Sequence, residues 1–218
     1  MKAFLVGLAI VAAGLMVAAP AADASLIFEL TSNHCTVPAD CGAPNTVFGT
    51  VTLTQNGTSV GFDVHLNSPY AFANTGSADF QSFKFNAIDI VLGDITITQN
   101  APKPLAADTG AFNGDGTGLF AFGIFCPTCG GGLSDGFSTD ILFSVANSVI
   151  SDFTAPNNLG NVFVADIGNT TNGATGPVDA SGGGVGGSTI PEPATLLLLG
   201  SGLLGLGLAG RIRGLLRK

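Results

Sequence analysis

Residues 50–66 alternate apolar and polar side chains around an Asn-Gly pair. That pattern ties this part of the chain to antiparallel β structure. Val51 and Leu53 alternate with Thr50, Thr52 and Thr54. Val60, Phe62, Val64 and Leu66 alternate with Gly61, Asp63 and His65. Successive strand side chains point to opposite faces, so each run has one apolar and one polar face. Gln55-Asn56-Gly57-Thr58 lies between the runs, and Asn and Gly both tolerate the positive φ of a tight hairpin. Further strand runs are Phe83-Lys84-Phe85, Ile88 to Leu92, Ile95-Thr96-Ile97-Thr98, Leu119 to Cys126, Ser138 to Val145 and Val162 to Ile167. Gly, Pro, Asn and Asp separate them. Val149 to Phe153 reads as a short helical turn or a strand. Between residues 25 and 189 no window of ten or more residues carries a helical stripe.

Eight to ten short strands (order of magnitude from the turn spacing) predict an all-β body, an antiparallel β-sandwich or jelly roll. Phenylalanine supplies its core: of 16 in the chain, only Phe4 lies before residue 25. The 218-residue chain carries a formal net charge of −8, and only 10% of its residues are charged. Residues 25–189 hold just two bases, Lys84 and Lys103, so that stretch is more acidic than the whole. Such a balance excludes a nucleic-acid binder, which needs basic patches for phosphates. It also excludes a coiled coil or a charged disordered tail. Residues 25–171 are therefore expected as the β-sandwich domain. Residues 172–189, rich in Gly, Ser and Thr with Gly182-Gly183-Gly184, are expected as a flexible linker.

A mean hydropathy of +0.49 is high for a water-soluble protein, and the two ends account for much of it. Lys2 precedes an uncharged apolar run from Ala3 to Ala19, and Ala22-Asp23-Ala24 has the small-x-small form of a signal peptidase site. Residues 1–24 thus read as a secretory signal peptide, with the mature chain starting at Ser25. At the other end stand Ile190-Pro191-Glu192-Pro193, then an uncharged Leu/Gly run from Ala194 to Gly210, then Arg211, Arg213, Arg217 and Lys218. As a helix at 1.5 Å per residue the run is about 25 Å long, enough to span a bilayer with help from Ile212, Leu215 or Leu216. The basic cluster 211–218 stays cytoplasmic by the positive-inside rule, which leaves the body on the far side. Pro193 fits a first helical turn because its missing N–H has no partner to lose there, and Glu192 faces the positive end of the helix dipole. Ser201, Gly205 and Ala209 add a small-residue spacing that allows close helix approach, although a Gly/Leu-rich helix produces it easily by chance.

Pro191-Glu192-Pro193, the apolar helix and the terminal Arg/Lys cluster together resemble the PEP-CTERM sorting domain over residues 190–218. Ile190 stands where the common form has Val. The resemblance implies a partner, an exosortase-type membrane protease that recognises the motif and removes or replaces the tail during export. It also implies a Gram-negative host that builds exopolysaccharide and a biofilm or floc matrix. The fate implied is a membrane-anchored precursor, then the cell surface or extracellular matrix.

Export places Cys35, Cys41, Cys126 and Cys129 in an oxidising compartment. Four cysteines allow three pairings, and local pairing, Cys35–Cys41 and Cys126–Cys129, is the expectation on sequence distance. Cys126-Pro-Thr-Cys129 has the spacing of a redox pair, but that chemistry needs a helix N-terminus in an α/β unit, whereas here a strand runs into three glycines. A structural staple fits better. A four-thiolate zinc site is a further option that an oxidising compartment disfavours.

No catalytic residues are expected. His34 and His65 form no recognisable set, and His65 shares the polar face of its strand with Asp63. The chain has no G-x-S-x-G, H-E-x-x-H or phosphate-binding Gly motif. Glu29 is the single Glu of the body, so a glycosidase would need two Asp, and nothing marks a pair. Asn113-Gly-Asp115-Gly-Thr117-Gly118 resembles half a calcium loop but lacks the remaining acids, so a Gly-rich turn is the reading and no metal or cofactor is expected. The functional expectation is a non-enzymatic surface or matrix protein. The alternative is a secreted ligand-binding module for polysaccharide, with calcium and ice behind it. Sugar platforms favour Trp and Tyr, and the body offers Tyr70 alone. Thr50, Thr52 and Thr54 make one short row, not a flat repeated array of the kind an ice surface would need.

Overall fold

The hairpin around Asn56-Gly57 forms, and it seeds the first of two sheets. The computed structural model describes residues 24–35, 41–43, 45–75, 80–99, 102–181 and 187–188. The strands are β1 Ser25–Leu30, β2 Ser32–Asn33, β3 Gly49–Asn56, β4 Ser59–Leu66, β5 Tyr70–Asn74, β6 Gln81–Phe85 and β7 Ile95–Ile97. They continue as β8 Ala106–Asn113, β9 Leu119–Phe125, β10 Gly132–Phe137, β11 Ile141–Ala146, β12 Asn161–Asn169, β13 Thr175–Ser181 and β14 Gly187–Ser188. Two short 3-10 turns, Leu92–Asp94 and Ile150–Phe153, complete the elements. The second settles the open reading of Val149 to Phe153 in favour of a helical turn. The expected signal peptide (1–24, described only at Ala24) and the expected sorting segment (190–218) lie outside the described residues. Among the described residues no helix is long and apolar enough to cross a membrane.

The first sheet runs β14-β1-β3-β4-β11-β7, and every pairing in it is antiparallel. The hairpin register pairs Asn56 with Ser59 across Gly57-Thr58. Gly57 alone takes a positive φ, 61°, at the first central position. That is the requirement of a type II′ turn rather than I′, so Asn56 is the last ladder residue and not a turn residue. The alternation holds: Val60, Phe62, Val64 and Leu66 are buried, while Asp63 and His65 face solvent.

The second sheet is built around β12. β13 runs along one edge of it, from Asn161↔Ser181 to Gly168↔Thr175. The other edge is shared: β6 pairs with residues 163–165 and β5 with residues 167–169. β10 extends β5, β9 and β8 extend β6, and β2 extends β13. The inner faces of the two sheets meet in a phenylalanine core. Phe62 stacks on Phe143 with centroids 4.3 Å apart, and it meets Phe153 and Phe163 edge-on at 4.9 and 6.2 Å. Phe28 meets Phe163 at 4.9 Å and Phe85 meets Phe143 at 5.4 Å, which ties β1 and β11 of one sheet to β12 and β6 of the other. Each such pair adds about 0.5–1.5 kcal/mol beyond area burial.

Two strand expectations and the expected linker need correction. Ile88 to Leu92 is not a strand. Asp89 takes a φ of 57°, and Asp94 Oδ2 accepts the Val91 N–H at 3.0 Å, so local side-chain bonding competes with a ladder. Ile88, Val91 and Leu92 are exposed. The Ser138 to Val145 run begins later, at Ile141, after the loop residues Ser138-Thr139-Asp140. The stretch expected as linker contributes strand β13 over Thr175–Ser181, buried from Gly176 to Ala180. Small residues let it pack tightly there. A Cβ at Gly176 would come within 2.6 Å of the Cys35 backbone. The sheet pairings thus raise the strand number to fourteen among the described residues, above the eight to ten expected.

Candidate functional site

Four polar clusters stand on this framework, and the sorting tail adds the chain's most specific functional signal. The first cluster lies on the outer face of the first sheet. His65 Nδ1 is 2.7 Å from Asp140 Oδ1, and Asp63 is two residues away on β4. Partial desolvation raises the Asp63 carboxyl above its ordinary value, Asp140 adds to this, and His65 opposes it. The sequence placed His65 beside Asp63. It gave no sign of Asp140, which arrives from the loop before β11.

The second cluster sits on the outer face of the second sheet. His34 Nε2 lies 2.7 Å from Asp179 Oδ2, whose side chain is 3% exposed. Burial raises the Asp179 carboxyl, and the hydrogen bond and charge of His34 work against it. The loop after β8 approaches from above, since a Cβ at Gly116 would stand 3.6 Å from His34 Nδ1. That loop is the half calcium motif. Thr117 is fully buried and its hydroxyl donates to Gly114 O at 2.7 Å. The side-chain amides of Asn157 and Asn161 both donate to Thr117 O, at 2.8 and 2.9 Å. The Thr117 oxygens therefore serve the turn. Among the described residues no cluster of three His, Cys, Asp or Glu could hold a metal.

The third cluster surrounds a disulfide. Cys126 and Cys129 are bonded at the end of β9, where Cys129 N–H donates to Cys126 O at 3.2 Å. Asn74 reaches over from β5 to donate to Cys129 O at 3.3 Å. Asp135 Oδ2 accepts the Gly130 N–H at 2.8 Å, and Lys103 Nζ lies 3.2 Å from Asp135 Oδ1. The backbone N–H of Gly130, then Lys103, hold the Asp135 carboxyl below its ordinary value. This is a strand end closed by a turn, the context of a staple. Cys35 and Cys41 form the other disulfide, and no cysteine is free.

The fourth cluster was invisible in the sequence. Lys84 Nζ lies 3.0 Å from Asp166 Oδ1, between strands β6 and β12, with side chains 1% and 2% exposed. Lys84 also donates to Gln81 O at 3.1 Å. Its position between Phe83 and Phe85 reads as solvent-facing only while the other side of β6 is assumed wet.

The sorting residues Pro191, Glu192 and Pro193, and the basic residues Arg211, Arg213, Arg217 and Lys218, lie outside the described residues. Comparison with known families decides their meaning. Residues 189–214 match the family model of the PEP-CTERM protein-sorting motif. The PEP-CTERM motif marks an exported protein that is sorted by exosortase, a membrane protein, and whose C-terminus is anchored in the membrane before processing. Its match stops short of the β body. No curated protein and no solved structure matches the chain.

Proposed function

We propose that the body is a non-enzymatic protein of the cell surface or the extracellular matrix, delivered there by its PEP-CTERM motif. The observation that carries this reading is the motif itself, joined to a body whose two disulfides suit an oxidising exterior. Most contacts of the polar clusters fasten loops and strands. His65 and His34 each face their own aspartate, and the cysteines are closed. A Gram-negative, matrix-building setting belongs to this reading, and the resemblance to the sorting motif is what supports it.

The polysaccharide reading loses the tyrosine it rested on. Tyr70 is buried, with its ring 5.0 Å from that of Phe48, so it offers no flat polar face to a sugar. Cell fractionation with surface-protease shaving tests the proposal. The body is expected in the surface-accessible or matrix fraction, and a body confined to the cytoplasm would overturn it. Pull-down on isolated exopolysaccharide then separates a structural component from a sugar-binding module: saturable binding of the purified body would favour the module.

A further inference from the structure

Lys84 is one of only two bases between residues 25 and 189, and it occupies one of the most water-free places in the fold. Across the second sheet, register places Asp108, Gly123, Lys84, Val164, Asp179 and Ser32 in one row on the outer face. Lys84 and Asp166 are diagonal neighbours across the β6–β12 ladder, and 82 positions separate them in the chain. Placing an ammonium and a carboxylate together in such a site costs about as much in lost hydration as their attraction returns. Among the described residues Asp166 Oδ2 has no hydrogen-bond partner, an expensive state for a carboxylate and a cheap one for an uncharged acyl group. Burial raises the Asp166 carboxyl; Lys84 and Thr75 pull it back, and Asp115 adds to the rise.

We propose that Lys84 and Asp166 are a self-crosslinking pair that condenses, once the body has folded, into a side-chain amide between β6 and β12. Proton transfer from the ammonium to the carboxylate first gives the neutral amine and the neutral acid, which a dry site favours. The Nζ lone pair attacks the Asp166 carboxyl carbon, one bond beyond the oxygen that Nζ contacts at 3.0 Å, so the fold already holds the two reactants as neighbours. The N–C bond forms, the carboxyl C–OH bond breaks, and the hydroxyl leaves with one amine proton as water. No oxidant, reductant or co-reactant is needed. The buried Thr75 hydroxyl, which has no hydrogen-bond partner of its own among the described residues, acts on the Asp166 carboxyl and is a donor available to the oxygen that gains charge during attack. The product replaces two buried charges by one neutral amide. It also closes a long loop, which restricts the unfolded chain as a disulfide does.

The test is mass spectrometry of the purified, folded body after full reduction, followed by peptide mapping. The expected result is a chain one water lighter than its sequence, resistance to trypsin after Lys84, and one branched peptide that joins the Lys84 and Asp166 segments. The branched peptide is the deciding species, because Asp115-Gly116 and Asp135-Gly136 can also lose water by local cyclisation. Lys84→Arg keeps the positive charge and must abolish the branch, as must Asp166→Ala. If either variant fails to fold, the wild-type map still decides. Separate, unmodified Lys84 and Asp166 peptides from the folded wild-type body would overturn the proposal.

Discussion

The two sheets of this body share one core but live in different surroundings. The first keeps one face in water, and its side chains alternate as a half-buried sheet requires: Val51 and Leu53 in, Thr50 and Thr52 less buried. The second is covered on both faces along β5, β6, β12 and β13. Its outer face therefore cannot remain a surface for free charges. Lys84, Asp166 and Asp179 are buried there, each held by a partner. The difference shows where a sandwich of few charges spends them: one sheet supplies solubility, the other encloses polar groups that fasten strands and loops.

The largest break in this comparison comes from adding a charge to the outer face of each sheet. Val164→Asp puts a third carboxylate into the covered sheet, beside Asp179 and opposite a Lys84 that already faces Asp166, with a cost of at least about 3 kcal/mol. Denaturant melts should show loss of most of the folded state, and an unchanged midpoint would mean that this face is wet. Next come the pins. Cys35 packs against Gly176 of β13, so opening its disulfide by Cys35→Ala with Cys41→Ala should lower stability by about 2 kcal/mol. A thermal melt that does not move would remove the pin from the account.

A pH series sharpens the comparison further. Asp63 of the first sheet and Asp179 of the second both have carboxyls raised above the ordinary 3.8. The folded state then holds each proton more tightly than the unfolded state does. Stability is thus greatest while these groups stay protonated, and it is lost as pH rises from the unfolded value through the folded one. Relief of the body's negative self-repulsion acts in the same direction. Melting temperature should rise on mild acidification from neutrality, and Asp179→Asn should flatten the rise more than Asp63→Asn, because Asp179 is more deeply buried. A fall in melting temperature over that range would reverse the assignment. The smallest effect belongs to the wet face. Thr52→Lys, opposite Asp63, should change stability by no more than about 0.5 kcal/mol, and a larger loss would mean that something covers the first sheet as well.

The same contrast explains what could be read in the sequence. The β3–β4 hairpin was plain because one wet face and one dry face write themselves as alternation. β13 was hidden because Thr175-Gly-Pro-Val-Asp-Ala-Ser181 packs on both faces with small residues and resembles a linker. β5 and β10 were hidden for related reasons: β5 is buried throughout, and β10 carries Gly132 and Gly136 with an irregular register against β5. Ile88 to Leu92 misled in the opposite way, since its apolar residues are surface residues held by an aspartate-capped turn. Of the polar clusters, the disulfides followed from short spacing. The Asp140 partner of His65 and the Lys84–Asp166 pair required long-range register that no local pattern carries. The sorting tail was legible because its signal is linear: a motif, an apolar run and a basic end.

The most direct test of the central claim follows the fate of that tail. The full chain carries one tag within the 182–186 segment and a second at the C-terminus, in an exosortase-bearing host. The wild-type chain should lose the C-terminal tag while its body leaves the membrane fraction. A chain with Pro191→Ala, Glu192→Ala and Pro193→Ala should keep both tags and stay in the membrane. If wild type and variant are processed and distributed alike, the body is not delivered by this motif, and the account of an exported, exosortase-sorted protein fails.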